Sequence, residues 1–97
     1  MEQTNRVEEF YKNLRINLEE HHNFPENYLY KFILINDSER LAEIYRIFDG
    51  LEYSITTNES SNGKYISCSI SCFVLDADHI IKLYKEVAKI EDIEVED

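Results

Sequence analysis

Apolar residues in this chain change their spacing several times, and each change marks an element. Val7, Phe10, Tyr11, Leu14 and Leu18 recur at helical intervals, so the spacing predicts a helix from about Thr4, a candidate N-cap, to Glu20. The segment ends at Asn23-Phe24-Pro25, because proline disfavours helical geometry in the residue before it. Tyr28 to Ile35 is aromatic and β-branched on both faces, the pattern of an interior strand. Asn36-Asp37-Ser38-Glu39 carries capping chemistry, and Leu41, Ile44, Tyr45 and Phe48 follow at i, i+3, i+4, i+7 before a stop at Gly50.

Beyond Gly50 the period falls to two. Leu51, Tyr53, Ile55 and Thr57 alternate with Glu52, Ser54, Thr56 and Asn58. A turn from Asn58 to Gly63 contains Asn62-Gly63, a pair suited to positive φ in a hairpin. On the returning strand, Lys64 to Phe73, one face takes Ile66, Cys68, Ile70 and Cys72, and the other takes Tyr65, Ser67, Ser69, Ser71 and Phe73. Asp76 or Asp78 then caps a helix that turns Ile80, Ile81, Tyr84, Val87 and Ala88 inward, and Ile90, Ile93 and Val95 suggest a short final strand. The order is a helix followed by β-α-β-β-α-β. Crossovers of this kind are right-handed in about 98% of cases. The expected fold is α+β: a ferredoxin-like four-stranded antiparallel sheet with two helices on one face. An amphipathic N-terminal helix (residues 1–22) is added to the domain of residues 23–97.

Face assignment has the most functional content. Tyr30, Phe32 and Leu34 go inward, because the opposite choice buries Lys31 without a partner. Leu29, Lys31, Ile33 and Ile35 then share the open face with Ser67, Ser69 and Ser71. A half-apolar face of this kind is normally covered or used for binding, so Leu29, Lys31, Ile33, Ser67, Ser69 and Ser71 form the candidate interaction surface. The N-terminal helix is the nearest cover, and a second copy of the chain is the next.

Charge narrows the partners. With 20 acidic and 10 basic side chains in 97 residues, the net charge is -10. That balance opposes nucleic acid and anionic membranes, both of which are bound through Lys and Arg, even though Tyr65 and Phe73 could stack bases. No apolar run approaches the roughly 20 residues that span a bilayer, and MEQTNRVEEF has no apolar signal core. The expected compartment is the cytoplasm, with both cysteines reduced.

Chemical motifs are absent at the level of spacing, so neither a cofactor nor a metal is expected. Cys68 and Cys72 lie four apart on a strand, roughly 13 Å end to end, too far to bridge. They read as small buried residues. His21 and His22 end a helix, where they favour its dipole, and their side chains diverge by about 100°. His79 falls in a helix's first turn. Lys31 is expected to pair with Glu94 on the last strand rather than to hold an anion. Glu59 to Lys64 resembles a phosphate-cradling loop only in composition, because such a loop opens a helix and this one opens a strand. The acidic end, Glu91 to Asp97, reads as solvated.

Phe24-Pro25, Tyr28-x-Tyr30-Lys31-Phe32-Ile33, Ser60-Ser61-Asn62-Gly63-Lys64-Tyr65-Ile66-Ser67 and Ile81-x-x-Tyr84-Lys85 together resemble the YbeD-like family of small bacterial proteins of unassigned function, in a Bacteroidetes-type version. The likeness covers about residues 24–95. It implies a βαββαβ fold similar to ACT-type regulatory domains, which bind amino acids at paired interfaces, and it carries over no catalytic residue. ACT-type sites typically place a glycine in the loop after the first strand, where this chain has Asn36-Asp37-Ser38. The functional expectation is a non-enzymatic regulatory or protein-interaction module, acting as a homodimer or on a protein partner. The alternative is an ACT-like small-molecule sensor.

Overall fold

In the computed structural model, which describes residues 2–96 and the side chains from Arg6 onward, the elements follow the expected order. They are α1 (Glu2–His21), β1 (Glu26–Ile35), α2 (Ser38–Phe48), β2 (Tyr53–Glu59), β3 (Tyr65–Val74), α3 (Ala77–Val87) and β4 (Glu94–Val95). The sheet order is β2-β3-β1-β4, and every pairing is antiparallel. This is the ferredoxin-like arrangement, with an extra helix in front.

Local chemistry sets the boundaries. Asp37 accepts the Arg40 amide at 2.8 Å to start α2, and Asp76 does the same for His79 at 2.8 Å to start α3. Of the two aspartates proposed for α3, Asp76 is therefore the cap. Gly50, just after α2, takes φ +85°, a conformation that L side chains rarely adopt. Helix α1 begins two residues before Thr4, so Thr4 lies inside it, and its proposed capping side chain falls outside the described residues. β2 starts later than its alternation suggested, at Tyr53, with Leu51 held in the preceding turn by its amide to Phe48 O.

The two faces of the sheet are as assigned. Tyr30, Phe32, Leu34, Ile70 and Cys72 are fully buried, with Cys68 and Ile66 nearly so. Ile44 and Phe48 of α2 and Ile80, Leu83 and Val87 of α3 close over them. Tyr30 is the one polar-tipped side chain at the centre. Its hydroxyl donates to the Ile80 carbonyl at 3.2 Å, and burial raises its pKa far above the ordinary phenol value.

The N-terminal helix departs from expectation. It packs beside α3 in the helical layer rather than over the open face. Leu18 joins the core, Tyr11 and Leu14 are half-buried against it, and Arg15 pairs with Asp78 at 3.4 Å. The Lys85 ammonium sits 4.6 Å above the Tyr11 ring. Only the C-terminal half of the apolar stripe is used: Val7 is 55% and Phe10 62% exposed. The geometry follows from the connection. Only four residues, His22 to Pro25, separate α1 from β1, and Tyr28, on the inward face of β1, meets α3 through a hydroxyl–hydroxyl contact with Tyr84 at 3.0 Å.

Burial therefore ranks the aromatic residues. Phe32→Ala should lower unfolding free energy by about 3–5 kcal/mol, whereas Phe10→Ala should stay within about 0.5 kcal/mol of the parent. Chemical denaturation of both variants checks the ranking.

Candidate functional site

The six residues of the candidate surface lie in three rungs on the side of the sheet away from the helices. Leu29 stands opposite Ser71, Lys31 opposite Ser69 and Ile33 opposite Ser67. β2 extends the rungs with Ser54, Thr56 and Asn58. The result is a lane of hydroxyls and amides, bordered on the β1 side by Leu29, which is 54% exposed, and by half-buried Ile33. Tyr65 and Phe73 stand at its two ends, 42% and 37% exposed. Ser67 Oγ donates to the Asn58 carbonyl at 3.4 Å.

Lys31 does not pair with Glu94. Glu94 faces Ile33, and Glu96 donates its amide to the Lys31 carbonyl at 2.8 Å, which brings Glu96 rather than Glu94 opposite. Among the described residues no carboxylate lies within ion-pair distance of the Lys31 ammonium, so the surface keeps a cation in its middle.

Elsewhere the polar groups serve the fold. In the hairpin, Asn62 Oδ1 accepts from Ser60 Oγ at 2.8 Å and from the Lys64 amide at 3.0 Å, while the Tyr65 amide donates to Ser60 Oγ at 3.0 Å. Gly63 takes φ +71°, and its carbonyl accepts from Asn36 Nδ2 at 3.0 Å. The loop that resembled a phosphate cradle thus spends these groups on itself and on the end of β1.

Arg40 ties the start of α2 to the loop before β4. It pairs with Asp37, with Glu91 at 3.5 Å and with Asp92 at 3.6 Å, and its Nε donates to the Glu91 carbonyl at 3.0 Å. Glu91, Asp92, Glu94 and Glu96 are nevertheless all exposed, so the described part of the acidic end is solvated as expected. The Arg40 amide, followed by its guanidinium, holds the Asp37 carboxyl below the usual range, and Asp37 in turn raises the Arg40 pKa.

The histidines are similarly engaged. His21 Nδ1 lies 2.8 Å from the Asn17 carbonyl, His22 Nδ1 pairs with Glu26, and His79 Nδ1 accepts the Leu75 amide at 3.2 Å. Cys68 and Cys72 point into the core as free thiols, and burial pushes both thiols up in pKa. Among the described residues no three His, Cys, Asp or Glu side chains converge as metal ligands, and no helix is long and apolar enough to cross a membrane.

One feature was missed by residue reasoning. A groove of about 410 Å³ runs between α1 and the β4 side of the sheet, lined by Phe10, Tyr11, Leu14, Tyr28, Tyr84, Ala88 and Val95. Period-two alternation from Tyr30 already places Tyr28 inward. The position of α1, which completes the groove, had no signal in the spacing.

The fold class defined by these elements has a solved counterpart. The ACT domain from GTP pyrophosphokinase of Chlorobium tepidum superimposes with a TM-score of 0.51 at 14% identity, covering 73% of this chain and 100% of that one. The sequence itself matches the family described as "Protein of unknown function (DUF493)" over residues 19–95, and the chain belongs to that family, the YbeD-like proteins. No curated protein matches it.

Two outcomes follow. Cys68 and Cys72 should resist an aromatic disulfide reagent in the native protein and react fully in denaturant. The Asp37 contribution to stability is complete above the usual aspartate pKa and is lost as pH falls through its lowered folded value. Melting curves of Asp37→Asn should therefore lose part of the parent's decline below about pH 4.

Proposed function

We propose that this chain is a non-catalytic regulatory module that docks a protein partner through the open face of its sheet. The observation that carries the reading is the placement of α1. With that helix committed to α3, Leu29 and Ile33 stay at the surface beside the serine lane and Lys31, which no described carboxylate pairs. Alternating apolar and hydrogen-bonding rungs suit an interface with an apolar centre and a polar rim. The titratable groups support a non-catalytic role, because those with shifted pKa values serve the core or a helix cap.

The test is a Leu29→Glu/Ile33→Glu variant of the full chain. These surface changes should leave the melting temperature nearly unchanged. They should abolish capture of the proteins that the immobilised parent retains from lysate, or, if the partner is a second copy, abolish the dimer seen by light scattering. Equal capture by parent and variant, together with a parent that is monomeric at every concentration, would remove this reading.

A small-molecule sensor of the ACT kind is the second reading, favoured by the shared fold. Asn36-Asp37-Ser38 stands where a glycine is typical, and Asp37 is engaged with Arg40, so this reading has less support. An amino acid at 100 times its dissociation constant would stabilise the protein by about 2.7 kcal/mol. The first reading predicts flat melting curves across an amino-acid panel.

A further inference from the structure

The second edge of the sheet is incompletely paired. Among the described residues β4 pairs with β1 at Phe32 and Ile33, and the Glu96 amide adds the Lys31 carbonyl. Backbone direction along β1 is settled at two points. The Asn36 amide bonds Lys64 O on the β3 side at 3.0 Å, so even-numbered residues turn their backbone groups to β3. The Lys31 carbonyl meets Glu96, so odd-numbered residues turn theirs to the β4 side. The N–H and C=O of Asn27 and Leu29 therefore point past the end of the β4 pairing, and no described residue bonds them there. Both residues are exposed. An unpaired strand edge is a template for another strand.

The groove lies against this same edge. Tyr28, between these two residues, turns its side chain into the groove, whose other walls include Phe10, Tyr11 and Leu14 of α1 and Val95 of β4. Phe10 and Val95 are 62% and 54% exposed. A strand added beside Asn27–Leu29 would place the side chain opposite Tyr28 in the groove and its neighbours on the open side. Charge at the edge is mostly acidic: Glu94 and Glu96 stand against Lys31, on a chain of net charge -10, while Glu26 is engaged by His22.

From these observations we propose that β1 accepts an extended peptide segment of a partner protein by strand addition at Asn27–Leu29. The segment carries an apolar side chain for the groove and flanking lysine or arginine for the acidic edge. Main-chain bonds supply affinity in this mode, and the groove supplies selectivity. A second copy is disfavoured by its own acidity. The site is the backbone edge of β1 with its groove; it shares Leu29 with the open face but does not rest on that reading.

The test uses the full-length isotope-labelled protein and the synthetic peptide Lys-Thr-Val-Thr-Phe-Thr-Val-Thr-Lys, with a second peptide of the same sequence N-methylated at alternate residues. The unmodified peptide should bind saturably and slow amide exchange at Asn27 and Leu29 by about tenfold or more, and Phe10→Glu should weaken binding by about tenfold. The methylated peptide should give no such protection. Phe10 is exposed, so its variant should keep the parent's melting temperature. Four results would overturn the proposal: unchanged exchange at peptide concentrations that would saturate the edge, protection confined to β2, equal protection by the methylated peptide, or protection that rises with protein concentration alone.

Discussion

The structure depends on one strand having two unlike faces. β1 lies inside the sheet, paired with β3 along all ten of its residues, and it places Tyr30, Phe32 and Leu34 beneath the helices while Leu29, Lys31 and Ile33 face the other way. A slip of one residue would exchange these sets. It would bury the Lys31 ammonium without a carboxylate and expose three large side chains, an exchange that costs far more than the modest stability of a small domain. The Tyr30 hydroxyl reinforces the choice, because its bond to the Ile80 carbonyl is available only from the inner face.

The position of α1 follows from the same asymmetry. A helix joined to the start of β1 by four residues can lie on either side of the sheet. The helical side offers the core at Leu18, an acidic partner for Arg15 at Asp78 and a cation above Tyr11 at Lys85. The open side offers serines, a lysine and only scattered apolar groups such as Leu29 and Ile33. Apolar area decides in favour of the helical side. Both features with functional promise result: α1 packs away from the open face, and its Phe10, Tyr11 and Leu14 wall the groove beside Tyr28 of β1.

Much of this was legible in the residues. Alternation on β3, the capping run Asn36-Asp37-Ser38-Glu39 and the helical spacing of Leu41 to Phe48 each mark a local element, and local rules were enough for them. The burial cost of Lys31 then oriented β1 correctly. The failures were contacts between distant segments. Whether α1 would choose α3 or the open face depends on Asp78 and Lys85, which lie far along the chain from their partners Arg15 and Tyr11. The Lys31–Glu94 pair failed because β4 is in register with Ile33 at Glu94, and no spacing within a two-residue strand reveals that. The groove escaped notice because it needs four elements in place at once.

The central claim is that β1 shows Leu29 and Ile33 to solvent while its other face is sealed. Methyl relaxation of the dilute full-length protein with a soluble paramagnetic gadolinium chelate measures this directly. The account predicts strong enhancement at the Leu29 methyls, intermediate enhancement at Ile33 and almost none at Leu34, Ile44 and Ile70. Leu29 and Ile33 methyls as protected as that of Ile70 would contradict it, because α1 or another segment of the chain would then cover the face left open here.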